Sequence, residues 1–121
     1  MGYNDRDTRV RPLSALIREG ARRRPQSAGG YEELGEHGLA TSNAWGAAYE
    51  AFFGDSPYGL DDQAIKRMLS RGNLRVNIVQ ATIPFPVGEA TGSIFYVVKW
   101  MGEGKRYSRE QIADYLKTLG Y

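Results

Sequence analysis

Cysteine is absent from this chain and histidine occurs once, at His37. Without thiols there is no disulfide framework and no thiolate ligand, and a lone imidazole does not make the His/Cys sets that hold zinc. The expectation is a protein with no metal and no cofactor, compatible with a reducing compartment. Long apolar runs are missing too. No stretch approaches the roughly 18 residues needed to span a bilayer, and Met1 to Asp7 lack the apolar segment of a secretory leader. A soluble, cytoplasmic protein with no membrane partner is therefore expected. Residues 25 to 65 contain no Lys or Arg at all, yet hold seven acids. No glycine cluster has the strand–loop–helix spacing of a phosphate-binding loop.

What is present argues for a folded protein. Of 121 residues 41% are hydrophobic, eight are tyrosines, and the length suits one domain with a core of its own. The net charge of +2 conceals a segregation. Residues 1 to 24 carry seven arginines against three acids, and residues 66 to 121 carry nine bases against four acids. Such a basic, acidic, basic succession polarises a surface and can steer a charged partner, or folding can interleave the blocks so that they only keep the chain soluble.

The organising stretch is 42 to 53, which reads apolar on nearly every side. Trp45, Ala48, Tyr49, Phe52 and Phe53 follow helical spacing, alanines keep the other faces thin, Ser42 or Asn43 supplies a cap, and Gly54 a stop. A buried central helix is predicted. Before it, residues 1 to 10 read as a flexible arm and 11 to 121 as the globular domain. Pro12 fits the start of a first helix running to Arg24, with Leu13, Leu16, Ile17, Gly20 and Ala21 on its apolar stripe. Arg22, Arg23 and Arg24 fall in its last turn, where cations complement the helix dipole, and Pro25 ends it. Residues 26 to 41 read as loop, with a helical turn near Tyr31 to Leu34.

After Gly54 comes turn chemistry, then a helix from about Asp62 to Arg71 that buries Ile65, Met68 and Leu69. Residues 74 to 83 alternate with period two and predict an extended segment, broken by Pro84 and Pro86. For Ser93 to Met101 the β-branched and aromatic content favours a strand, while Ile94, Val97, Val98 and Met101 make a helical stripe with Ser93 as cap. The last helix is signed by Ser108-Arg109-Glu110-Gln111, a capping box, and buries Ile112, Tyr115, Leu116 and Leu119. The expected fold is mainly α, about five helices around the central one with a single short extended segment. The alternative is α+β, with 74–83 and 94–98 paired as a hairpin. The expected core includes Leu16, Ile17, Trp45, Tyr49, Phe52, Phe53, Ile65, Leu69, Ile112 and Leu116.

Three functional classes are compatible with these residues. The first is a small non-enzymatic binding or adaptor protein, acting through its charge-segregated surface on a protein partner or a second copy of itself. The second is a nucleic-acid-binding protein, with Arg9, Arg11, Arg18, Arg22, Arg23 and Arg24 on phosphates, joined by Lys105, Arg106 and Arg109. The third is an enzyme using His37 with Glu33 or Glu36, although no set of catalytic residues converges in the sequence. Tyr107 to Leu116 also looks like the first helix of a DNA-binding helix-turn-helix. No recognition helix follows before Tyr121, so a packing helix is expected.

Leu13 to Ala21 with Arg24-Pro25-Gln26, then Trp45 to Ala51, then Tyr107 to Leu116 share order and separation with three pieces of other chains. Together they resemble a group of small uncharacterised bacterial and phage proteins whose pattern runs AIR.GA...PQ, CALGAA.EA and W-S/T-REQIADW. The resemblance implies a helix for Ser93 to Met101. Many members of that group carry a Cys-Pro-x-Cys knuckle where this chain has Phe85-Pro86-Val87-Gly88, and a polar or histidine-bearing turn at Gly102 to Arg106. Their metal chemistry does not carry over to a chain without cysteine, and the resemblance implies no activity.

Overall fold

A computed structural model of the chain describes residues 12–26, 32–34, 40–54, 63, 81–105 and 107–121; for 32–34, 40 and 41 only the backbone is described. Among these the architecture is mainly helical. Helices α1 (Leu13–Ala21), α2 (Ala44–Phe53), α3 (Ile94–Lys99) and α4 (Arg109–Thr118) are joined by two short antiparallel hairpins. These are β1 (Glu32–Leu34) with β2 (Ala40–Ser42), and β3 (Thr82–Pro84) with β4 (Thr91–Ser93). The α3 helix continues into a π-helical turn, Trp100–Gly104.

Each helix start has a local cause. Asn43 caps α2, its Oδ1 accepting from the Gly46 N–H at 2.8 Å, and Gly54 ends it in the left-handed region at φ 79°. Ser93 caps α3 by accepting from the Tyr96 N–H at 3.2 Å. At α4 the capping box forms in both directions: Ser108 Oγ accepts from the Gln111 N–H, and Gln111 Oε1 from the Ser108 N–H. The α1 helix has no side-chain cap, so the other end of the chain supplies an acceptor: the Ser14 N–H donates to the Tyr121 carbonyl at 3.1 Å.

The α2 helix is buried from Ala44 through Phe52, around its whole circumference. Helix α1 packs against it and also against α4. Gly20 explains how closely α1 and α2 approach, since a Cβ there would lie 1.9 Å from the Ala47 carbonyl oxygen. One core joins Leu13, Leu16 and Ile17 of α1, Trp45, Tyr49 and Phe52 of α2, Ile94, Val97 and Val98 of α3, Met101 of the π turn, and Ile112 and Leu116 of α4. Phe53 is only half-buried at its margin. The Trp45 indole stacks on Phe95 with centroids 5.3 Å apart, and its Nε1–H donates to the Phe95 carbonyl. A buried indole thereby keeps its one polar atom satisfied.

Several expectations are corrected. The helical turn predicted near Tyr31 to Leu34 is replaced by a strand, with Leu34 opposite Ala40 and Glu32 opposite Ser42. Helix α1 ends at Ala21 rather than Arg24, because Arg22 and Arg23 donate back three residues to Glu19 and Gly20, a tightened last turn. Residue 24 precedes a proline, which disfavours helical backbone there. Ser42 belongs to β2, so the central helix starts two residues later than predicted. Residues 94–98 are helical, and the hairpin pairs Thr82 to Pro84 with Thr91 to Ser93 instead. Pro84 does not break that strand: it is its last residue, where a missing N–H is tolerated. The predicted helix from Asp62 to Arg71, apart from Gln63, and the extended residues 74 to 80 lie outside the described residues, as do Ile65, Leu69 and the arm 1 to 10.

Candidate functional site

The charged residues singled out from the sequence part into two groups. One forms a polar seam where the chain leaving α1 passes β2 and the starts of α2 and α4. Arg24 donates from Nε and Nη2 to the two carboxylate oxygens of Glu50, at 2.9 and 2.8 Å, a bidentate pair with side-chain exposures of 18% and 8%. Glu50 is the one charged residue of the buried face of α2. Beside it Ser42 N–H donates to the Pro25 carbonyl at 2.9 Å. Gln26 then bridges to α4: its Oε1 accepts from the Arg109 N–H at 3.0 Å, and its Nε2 donates to the Tyr107 carbonyl.

Arg109 is 5% exposed. Its guanidinium donates to Ser42 Oγ at 3.1 Å and to the Ala21 carbonyl at 3.4 Å, while Nε has no acceptor. Burial lowers its pKa from the ordinary arginine value, with the nearby Glu110 charge partly opposing the shift. Arg24 and Arg109 are thus held inside and are not placed to meet phosphates, which corrects the reading of them as contact residues. All three stretches quoted for the resemblance meet in this seam: Arg24 and Gln26 from the first, Glu50 from the second, and Arg109 from the third.

Of the other cations, Arg18 pairs with Asp114 on α4, and Arg22 and Arg23 are exposed beyond the end of α1. Lys105 is exposed after the π turn. Arg9, Arg11 and Arg106 lie outside the described residues, as do Glu36 and His37; Glu33 is described only as backbone in β1. Among the described residues, no three His, Cys, Asp or Glu side chains gather in a way that could hold a metal ion, and no helix is long and apolar enough to cross a membrane.

The second group lies on the opposite surface of α3 from its core stripe. Ile94, Val97, Val98 and Met101 face inward, which leaves Tyr96, Lys99 and Trp100 at or near the surface. Tyr96 is 58% exposed, as is Val87 in the β3–β4 turn. Phe85, just after β3, meets both rings edge-on, Tyr96 at 6.1 Å and Trp100 at 5.0 Å. Lys99 stands 5.8 Å from the Phe95 centroid and 3.7 Å from Glu103, and the Lys105 ammonium 5.6 Å from the Trp100 ring. A groove of about 460 Å³ opens here, lined by Ser93, Phe95, Tyr96, Lys99, Trp100 and Glu103.

The π turn shapes this face. Gly102 and Gly104 are poor helix formers, and the Lys105 N–H reaches five residues back to the Trp100 carbonyl at 3.0 Å. Gly104 lies against the indole, where a Cβ would sit 3.6 Å from Trp100 Cδ1. The sequence reading missed Tyr96, Trp100 and Lys99 as surface residues. The available signal was their position off the 94, 97, 98, 101 stripe: two aromatics four apart with a lysine between them. Comparison with known proteins returns no match, whether to family models, to curated proteins or to solved structures.

Proposed function

We propose that the chain is a small non-enzymatic binding protein that acts through its surface, and that its working surface is the aromatic–lysine face of α3 and the π turn. The observation that carries this reading is Tyr96, a large ring left 58% exposed beside Trp100 and the groove. Exposed aromatics supply much contact area at low entropic cost, since few torsions need fixing, and they recur as anchors of binding surfaces. A photo-crosslinking phenylalanine analogue at position 96, in the full-length chain in cells, tests the reading. A discrete adduct is expected at position 96 and none at Glu110, an exposed position on α4. No adduct at 96 sinks it. An adduct of the chain with itself identifies a homo-oligomer.

The second reading is nucleic-acid binding through the first helix. Arg22 and Arg23 favour it, because they are exposed. Its contact set is smaller than the sequence implies, since Arg24 and Arg109 serve the seam. Replacing Arg22 and Arg23 by Ala leaves the seam intact, and loss of salt-sensitive nucleic-acid binding in that variant is the expected result of this reading.

A further inference from the structure

We infer that the aromatic–lysine face takes single-stranded nucleic acid, an unpaired base stacking on Tyr96 at the groove while Lys105 and Lys99 hold the flanking phosphates. The inference rests on the binding-face reading above and names its ligand. Its first ground is ring geometry. Phe85 touches Tyr96 at an interplanar angle of 78° and Trp100 at 85°. Both rings are therefore braced at an edge, and the Tyr96 ring has no stacked aromatic partner within the protein. Every base has a π face, so an open, braced ring is a sequence-tolerant stacking platform.

The second ground is the state of the cations. The Lys105 ammonium rests over the Trp100 ring at 5.6 Å with no carboxylate partner. At an exposed site such a contact is weak, about 0.5 to 1 kcal/mol, so the ammonium can turn to a phosphate at little cost. The third ground is composition. Protein–protein interface cores are depleted of lysine, whereas lysine interleaved with aromatic rings is the make-up of single-strand binding grooves. A duplex keeps its base faces stacked inside and cannot offer them to Tyr96. Glu103 opposes phosphate here, and it stands 3.7 Å from Lys99. Its removal should therefore strengthen binding.

The test is fluorescence anisotropy with a labelled oligothymidylate of about 12 nucleotides and a duplex of equal length, each at about 20 and about 200 mM salt. Expected are binding of the single strand in preference to the duplex and a steep loss with salt. Tyr96→Ala should weaken binding about 5- to 100-fold while Tyr96→Phe retains it. Lys105→Ala should lower the salt slope by about one, and Glu103→Gln should tighten binding. Because Tyr96 is largely exposed, its variants should melt with wild type, and the melting curve is recorded alongside. Absence of binding at low salt overturns the inference, as does equal binding by Tyr96→Ala, or preference for the duplex. Weakening by Glu103→Gln also overturns it, since that marks a cationic ligand. Loss in the Arg22, Arg23 double Ala variant with Tyr96→Ala unaffected moves the site to the first helix. If oligonucleotides fail but position 96 crosslinks to a protein, the inference falls and the binding-face reading stands; if position 96 crosslinks to nothing, that reading falls too.

Discussion

In the seam Arg24 meets Glu50 through two bonds of 2.9 and 2.8 Å; on the face of α3 Lys99 stands 3.7 Å from Glu103. Both are a cation beside an acid, yet their environments make them different objects. The first pair is shielded from water, so each group depends on the other, and losing one partner strands the other. The second is water-exposed, screened by salt and worth little to the fold. A charge in a sequence is thus no guide to a charge on a surface. The difference lies in whether a neighbouring backbone, such as that of Pro25 and Gln26 beside Ser42, covers it.

This contrast can be broken in order of effect. Trp45→Ala should cost about 3 to 5 kcal/mol, because the indole fills the core between α2 and Phe95 and also gives up its bond to the Phe95 carbonyl. Urea unfolding checks it, and a wild-type midpoint would contradict the central place of α2. Glu50→Ala should cost about 2 to 4 kcal/mol, the toll of leaving a largely buried guanidinium without its carboxylate. Glu103→Ala should change stability by less than about 0.5 kcal/mol, and the paired measurement is the direct trial of seam against face. Gln26→Ala should cost about 1 kcal/mol by freeing the first N–H of α4 and uncoupling it from the chain that leaves α1. Hydrogen exchange at the Arg109 amide should rise in that variant.

The smallest effect is a pH dependence. Tyr115 donates to the Pro84 carbonyl at 2.6 Å, and burial, with a further contribution from Tyr107, raises its pKa above the ordinary tyrosine value. The folded state therefore holds this proton more tightly than the unfolded one. Its contribution is complete below about pH 10 and is lost as pH rises through the folded value. Tyr115→Phe should lower the melting temperature slightly at pH 8 and fall less than wild type on going to about pH 11. An equal alkaline fall in both would assign the loss to other tyrosines.

Much of this could be read from residue order, and the limits are physical. The apolar circumference of 44 to 53 and the stripe of 13, 16 and 17 have burial written in their period, because a helix so clothed has to be covered. The Ser108 box is equally local, and its partners lie three residues apart. The hairpin of Glu32 to Leu34 with Ala40 to Ser42 was not legible, since three-residue strands carry too little alternation to register against the glycines around them. The candidate face was half legible: the helix of 94 to 99 followed from its stripe, but the exposure of Tyr96 and the brace from Phe85 need the β3–β4 hairpin folded back beside it. The fate of the arginines was not legible at all. Arg24 and Glu50 are 26 residues apart, and Arg109 and Ser42 are 67 apart. No local rule couples residues so distant in the chain.

The π turn at Trp100–Gly104 sets the phase of everything after it. A π turn amounts to an α-helix that has taken in one extra residue, and each residue of an α-helix turns the chain by about 100°. Deleting Gly102 would let the segment wind as ordinary helix and carry Lys105 round that angle, away from the indole. The core residues 94, 97 and 98 lie upstream and would keep their places. A single-residue deletion would then act as a rotation of the lysine about the face, separating where the rings stand from where the charge stands.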